Sequence, residues 1–335
     1  RIVAAIIILI HHLVPLLGVT QGVPHGYLAV DLFFMISGYV VQARYGAHLA
    51  IGFPASAFIR QRMQRLWPLL VLAGLVSSVE AFARLIFGST LAKVGLVDIV
   101  WSALSSFAAL PSPVSEQMGH GNWPLNPPLW SLFYELLVGV ALAPWLLRAR
   151  TWLLCVVTSM ASGALAFTVV QRGHADGGIF LVDATLAGAR MLFGFGMGAL
   201  VSRFVLQASQ LWTLGFPIAT GLVMGALLVP AWESIPTDLI AILAALPSLL
   251  WLLTKVPDRL DGIGSRLAGE LAYAIYVLHW PLLYLLRNVA RHLHWMTLDT
   301  IVSCMVFGAC ILLISFTAVV GYERPVQRWA RLMSQ

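Results

Sequence analysis

Long apolar runs alternate with short polar intervals along this chain, and the length of the runs is the first informative quantity. A helix needs roughly 20 mostly apolar residues to cross the hydrocarbon core of a bilayer. Ten runs meet that requirement, at about 2–19, 27–46, 66–87, 128–147, 152–171, 184–202, 211–230, 238–254, 268–286 and 299–320. An eleventh, 96–110, is too short and is followed by Pro111 and Pro113, which predicts an interfacial or re-entrant helix. The longest polar stretches are a basic loop at 47–65 and a Pro-rich loop at 111–128.

Composition agrees with this pattern. Of the 335 residues 60% are hydrophobic and only 10% charged, whereas a soluble domain carries about 25% charged residues. The chain cannot cover a globular surface with polar groups. Disorder, a nucleic-acid partner and a disulfide-stapled secreted fold are excluded on the same ground. The expected class is all-α, a polytopic membrane protein with about ten transmembrane helices. Cys155, Cys304 and Cys310 all lie in apolar runs, where a thiol behaves as a small hydrophobe, and no zinc-spaced pair is present. The first run passes into the second without a small-residue cleavage site, so no cleavable signal peptide is expected, and Arg1 in place of methionine points to a few residues missing ahead of it.

Cytoplasmic loops carry an excess of Lys and Arg, which orients the spans. With the N-terminus inside, 14 of the 20 cations fall on the inner side: Arg1, Arg44, Arg60, Arg62, Arg65, Arg148, Arg150, Arg203, Lys255, Arg259, Arg266, Arg324, Arg328 and Arg331. Both termini are then cytoplasmic. Residues 1–323 form the membrane domain, and 324–335 a basic cytoplasmic tail. That tail is expected to lie on the inner leaflet as an amphipathic helix, with Trp329 and Leu332 facing inward.

An ionisable group at the bilayer centre costs at least about 2.5–3.5 kcal/mol, so each one inside a span needs a partner or a purpose. Eleven residues of helix place His12 roughly 16 Å above Arg1 on one face of the first span, with His11 pointing away. In the second span Asp31 lies about a turn from the outer surface, able to orient a histidine, neutralise an arginine or sit hydrated at the interface. Ser37-Gly38 permits close helix approach. Arg62 and Arg65, three apart, form a cationic patch suited to phosphate or to anionic lipid. Glu135 follows Trp130 by five residues and lies well inside the apolar band. Glu80 and Arg84 are spaced as a structural i,i+4 pair. Arg190 has Asp183 nearby, as a partner or leaving it free for a ligand. His279 precedes the kinking Pro281, whose freed carbonyl is a candidate partner for the imidazole.

Taken in order, these residues become specific. Arg1 to His12, Val30-Asp31-Leu32-Phe33-Phe34 with Ser37-Gly38-Tyr39, Arg62-x-x-Arg65-Leu-x-Pro68, Trp130-Ser131-Leu132 to Glu135, and Tyr276-x-x-His279-Trp280-Pro281 together resemble the acyltransferase-3 family. These are membrane O-acyltransferases that decorate polysaccharides. The resemblance runs from residue 1 to about 325, with Tyr39 standing where Phe is usual and no hydrolase-like domain appended.

The resemblance implies that an acyl group, commonly acetyl, passes from cytoplasmic acyl-coenzyme A to a hydroxyl of a carbohydrate or glycolipid on the outer side. The setting is a bacterial inner membrane. Acyl-coenzyme A is a co-substrate; no tightly bound cofactor and no metal are expected, and the partners are the donor, the acceptor and membrane lipids. Arg1, Arg62 and Arg65, with Ser37 and Gly38, fall on the donor-binding motifs. His12 is the expected general base, and Glu135 or Asp31 would hold its tautomer. Trp130, Arg190 and His279 are then expected to meet the substrate. Direct transfer and an acyl-histidine intermediate both remain open. The competing class is a transporter or lipid-linked sugar flippase in which His12, Glu135 and His279 relay protons.

Overall fold

The computed structural model describes residues 1–18, 23–86, 95–113, 121–204, 235–254, 263–293 and 300–333. Among them there is no strand, and the elements are helices: α1 (Ile2–Leu16), α2 (Ala29–Ala50, after a 3-10 turn Gly26–Leu28), α3 (Ala55–Ile86) and α4 (Leu96–Ser106). The next, α5 (Leu129–Arg148), is π-helical over Glu135–Leu142. After it come α6 (Thr151–Arg172) and α7 (Ala184–Phe204). Ile235–Ile240 continues through a π turn into Leu246–Leu253 and makes α8; α9 is Ile263–His292. Thr300–Ala318 is α10, which runs through the π segment Val319–Glu323 into α11 (Arg324–Leu332).

Seven of these stretches are long and apolar enough to cross a membrane, and the chain is an all-α polytopic membrane protein. Of the expected spans, the first and eighth are shorter helices, Ile2–Leu16 and Thr237–Leu253, and 211–230 lies outside the described residues. At 11 residues, about 16 Å of helix, α4 is too short to cross. It packs Ile99, Ser102 and Ala103 inward and leaves Val97 and Trp101 exposed.

One expected boundary is wrong. The basic stretch 47–65 is not a loop: α2 runs to Ala50 and α3 begins at Ala55, so Arg62 and Arg65 sit on helix within the two turns before Pro68. Carbonyls near that proline are claimed by side chains, Leu66 O by the Tyr273 hydroxyl at 2.9 Å and Arg65 O by Gln327 Nε2 at 3.3 Å.

The burial pattern is inverted relative to a soluble protein. Outward faces of α6 and α10 carry exposed apolar side chains such as Met160, Phe167, Met305 and Leu313, while Asp31, Glu80, Arg190 and His279 are buried. Without a hydrophobic drive between helices in lipid, small residues that let backbones touch become the contact surface. Here α2 and α7 meet in that way. A methyl added at Gly38 would lie 2.0 Å from Phe195 O, and one at Gly198 would lie 1.9 Å from Met35 O. Gly38 therefore serves helix contact.

Arginines at helix ends double as helix caps. Arg148 donates to the carbonyls of Leu49 and Phe53, and Arg203 to those of Leu147 and Ala149, satisfying groups left over at the ends of α2 and α5. The expected Glu80–Arg84 pair is present at 2.8 Å, with Asn288 as a third member. Trp329 and Leu332 on α11 are exposed, directed away from the bundle, while Arg324 pairs with Glu270 at 2.7 Å.

Candidate active site

A cavity opens between α1, α2, α3, α5 and α9. Three guanidinium groups line it, Arg1 from the start of α1 and Arg62 and Arg65 from α3, joined by Ser37, Ser131, Glu135, Tyr273 and Tyr276 and by an apolar wall that includes Phe33 and Phe34. The sequence expectation of an arginine patch on the surface is therefore corrected. Arg62 is buried, with only 6% exposure.

Burying a cation requires a counter-charge, and Glu135 supplies it. Arg62 Nη2 donates to Glu135 Oε1 at 2.6 Å, and the Ser37 hydroxyl donates to the same oxygen at 2.6 Å. Glu135 begins the π segment of α5, and Gly139 beneath it has no side chain to obstruct it: a methyl there would lie 2.9 Å from Oε1. Arg62 Nε has no hydrogen-bond partner among the described residues. Three cations facing one carboxylate leave this end of the cavity electropositive, which suits a phosphorylated ligand.

Gly269, Tyr273 and Tyr276 line the cavity at helical spacing on α9, and His279 follows one turn further along. The Tyr276 and His279 rings are 6.0 Å apart, His279 stacks on His12 at 5.3 Å, and Trp280 meets His12 edge-on at 5.0 Å. His11, expected to point away, gives Nδ1 to Val23 O at 2.8 Å, yet its ring still meets His12 edge-on at 4.9 Å.

Protonation of His279 follows from its neighbours. Its Nδ1 lies 2.7 Å from Tyr276 O and 3.1 Å from Ile275 O. Carbonyl oxygens only accept, so Nδ1 carries the hydrogen and Nε2 of the neutral ring is a lone pair. That Nε2 is buried with no hydrogen-bond partner among the described residues. The carbonyl released by Pro281 belongs to Val277, and it is claimed by Asn126 Nδ2 at 3.0 Å, not by the imidazole. Asn126 was given no role from sequence, although any proline inside a helix frees the carbonyl four residues back and calls for a donor.

Neither carboxylate reaches His12. Glu135 is held by Arg62 and Ser37, and Asp31 by Arg190, so the expected tautomer-holding role is corrected for both, and Glu135 does not join His12 and His279 in a relay. Arg190, expected beside Asp183 and open to substrate, is fully buried and saturated. Nε and Nη2 clasp Asp31 at 3.0 and 2.7 Å, Nη1 donates to Ala175 O and Gly177 O, and Nη2 also donates to Tyr27 O. All five of its N–H groups are used. Asp183 pairs with Arg172 instead. Trp130 is 7% exposed and lies under the Arg190 guanidinium at 5.3 Å, so both residues hold α2, α5 and α7 together, and neither lines the cavity.

With this geometry established, comparison with known proteins becomes informative. Residues 1–319 match the family described as an acyltransferase domain. The chain is also similar to "Protein 2 in picA locus" of Rhizobium radiobacter, 34% identical over 164 residues that cover 44% of this chain and 80% of that protein. No solved structure matches it. A match over nearly the whole chain means that this multi-pass membrane protein belongs to the acyltransferase-3 family and is an acyltransferase.

Proposed function

We propose that the protein is an O-acyltransferase of a bacterial inner membrane. It takes an acyl group, acetyl in the simplest case, from acyl-coenzyme A entering on the cytoplasmic side, and delivers it to a hydroxyl of a carbohydrate or glycolipid on the outer side. The observation that carries this reading is a single path. The cavity has Arg1, Arg62 and Arg65 at one end and Tyr276 at the other, and Tyr276 abuts the His279 ring that stacks on His12.

The three arginines hold the donor's phosphates, and Ser37, on Glu135, lines the same wall. The thin arm of the donor runs along the α9 face past Tyr273 and brings its thioester to the level of Tyr276. The His12 imidazole takes the proton of the incoming hydroxyl, while the lone pair of His279 Nε2 receives a hydrogen bond from the acceptor. The hydroxyl oxygen attacks the thioester carbon, and coenzyme A leaves as the thiol.

The test is acyl-coenzyme A-dependent acylation of a carbohydrate by the purified protein in lipid vesicles. His12→Ala is expected to lower the rate by about 10²–10⁴ while leaving coenzyme A binding intact. Full activity in His12→Ala would remove the base assignment. Movement of substrate without consumption of donor would remove the reaction.

A further inference from the structure

We propose that the phenolic hydroxyl of Tyr276 donates the hydrogen bond that stabilises the donor's carbonyl oxygen during transfer. This deepens the functional reading above and rests on it. Acyl transfer builds negative charge on that oxygen, and the charge needs a donor already in place.

The hydroxyl groups lining the cavity belong to Ser37, Ser131, Tyr273 and Tyr276, and their protons can be counted. Ser37 gives its proton to Glu135, and Tyr273 gives its own to Leu66 O. Ser131 and Tyr276 are bonded to each other, and both reach one carbonyl, Pro128 O, at 3.0 Å from Ser131 Oγ and 3.2 Å from Tyr276 Oη. Three contacts thus share two protons. If Ser131 satisfies Pro128 O, the Tyr276 proton rests only on a serine lone pair, and it can turn to a ligand without stripping a buried carbonyl of its partner. Neither of the other two hydroxyls has that latitude.

Position supports the same residue. Tyr276 lies where the cavity adjoins the histidine pair, its ring 6.0 Å from that of His279. The acceptor oxygen bonds to the thioester carbon as its proton passes to His12. The carbonyl π pair moves onto oxygen and is held by the Tyr276 hydroxyl. The carbonyl then re-forms, the C–S bond breaks, and the departing thiolate takes the proton from the His12 imidazolium. Tyr276 keeps its own proton throughout.

The probe is acetyl-coenzyme A labelled with ¹³C at the carbonyl. Tyr276→Phe is expected to lower kcat by roughly 10²–10³, as for one lost oxyanion donor, with the donor KM unchanged within about twofold. Ser131→Ala obliges Tyr276 to serve Pro128 O, and kcat should fall by roughly tenfold. In a His12→Ala background, which preserves the thioester, the bound carbonyl stretch should lie below that of free acetyl-coenzyme A and return towards it when Tyr276→Phe is added. A Tyr276→Phe enzyme within twofold of wild-type kcat, or an unmoved carbonyl frequency, overturns the proposal. If Tyr276→Phe does not fold, an unchanged rate in Ser131→Ala overturns it. Failure of the wild type to consume any acyl-coenzyme A overturns the functional reading itself, which separates the two.

Discussion

His12 and His279 lie face to face, their ring centroids 5.3 Å apart and their planes 17° from parallel. Two positive imidazoles at that distance would repel by about 3 kcal/mol even at an effective dielectric constant of 20. The pair therefore carries at most one positive charge, so only one of the two rings can hold the proton taken from the acceptor at any time. The two Nδ1 bonds that orient His279 are separable from its Nε2 lone pair. Asparagine at 279 keeps a donor near the Nδ1 position and abolishes Nε2. His279→Asn should raise the acceptor KM by roughly three- to tenfold, the worth of one hydrogen bond, with the donor KM unmoved. An unchanged acceptor KM in initial-rate measurements would show that Nε2 meets no substrate.

Arg62 and Arg65 line the same cavity but are differently engaged. Arg62 is tied to Glu135, whereas Arg65 has no carboxylate at ion-pair distance among the described residues. Arg65→Ala should weaken coenzyme A binding by about 10- to 100-fold and leave thermal stability in detergent nearly unchanged. Arg62→Ala should lower both affinity and unfolding temperature, because it strands a carboxylate. Binding titration and thermal unfolding of both variants decide the matter, and equal unfolding temperatures would contradict it.

The Asp31–Arg190 pair is fully buried on both sides. Removing one partner of such a pair leaves an uncompensated charge and costs about 3–5 kcal/mol. Asp31→Leu is therefore expected to lower the unfolding temperature sharply, and Asp31→Leu combined with Arg190→Met to recover part of the loss. Recovery will be incomplete, because Arg190 also serves the carbonyls of Ala175, Gly177 and Tyr27. A double variant no better than the single would mean that the two charges are not coupled.

Two glycines give opposite expectations for the same substitution. Gly198→Ala forces a methyl to 1.9 Å from a backbone oxygen of α2, whereas at Gly163 on α6 nothing lies within 4 Å. Gly198→Ala should destabilise by about 1–3 kcal/mol or more through overpacking, and Gly163→Ala should stabilise by up to about 1 kcal/mol through helix propensity. Denaturation in mild detergent should separate the two in sign.

Several of these features were legible before any coordinates. The i,i+4 spacing identified Glu80 with Arg84, because both partners sit on one helix of known pitch. Ser37-Gly38 signalled a close helix approach, which Gly38 makes against Phe195. The ordered motifs pointed to the family that the whole-chain match establishes. Other relationships were invisible. Asp31 was read as a candidate for histidine, arginine or water, and its partner proved to be an arginine on α7. Glu135 was assigned to His12 and belongs to Arg62. Asn126 carried no signal of its own until Val277 O was seen to need a donor.

The sequence by itself determined that this chain spans a membrane on helices, how long most of them are, and which few polar residues lie within them. Transfer of a side chain into hydrocarbon is a local quantity that adds along a run of about 20 residues, so it can be read in one dimension. Only the tertiary structure decided which charge meets which. Buried ions are stabilised by partners a few ångströms away, those partners sit on helices distant in sequence, and glycine seams set where such helices touch. The same packing left Tyr276 with a proton it can lend and His279 with a lone pair unclaimed, at the junction between an arginine-lined cavity and His12.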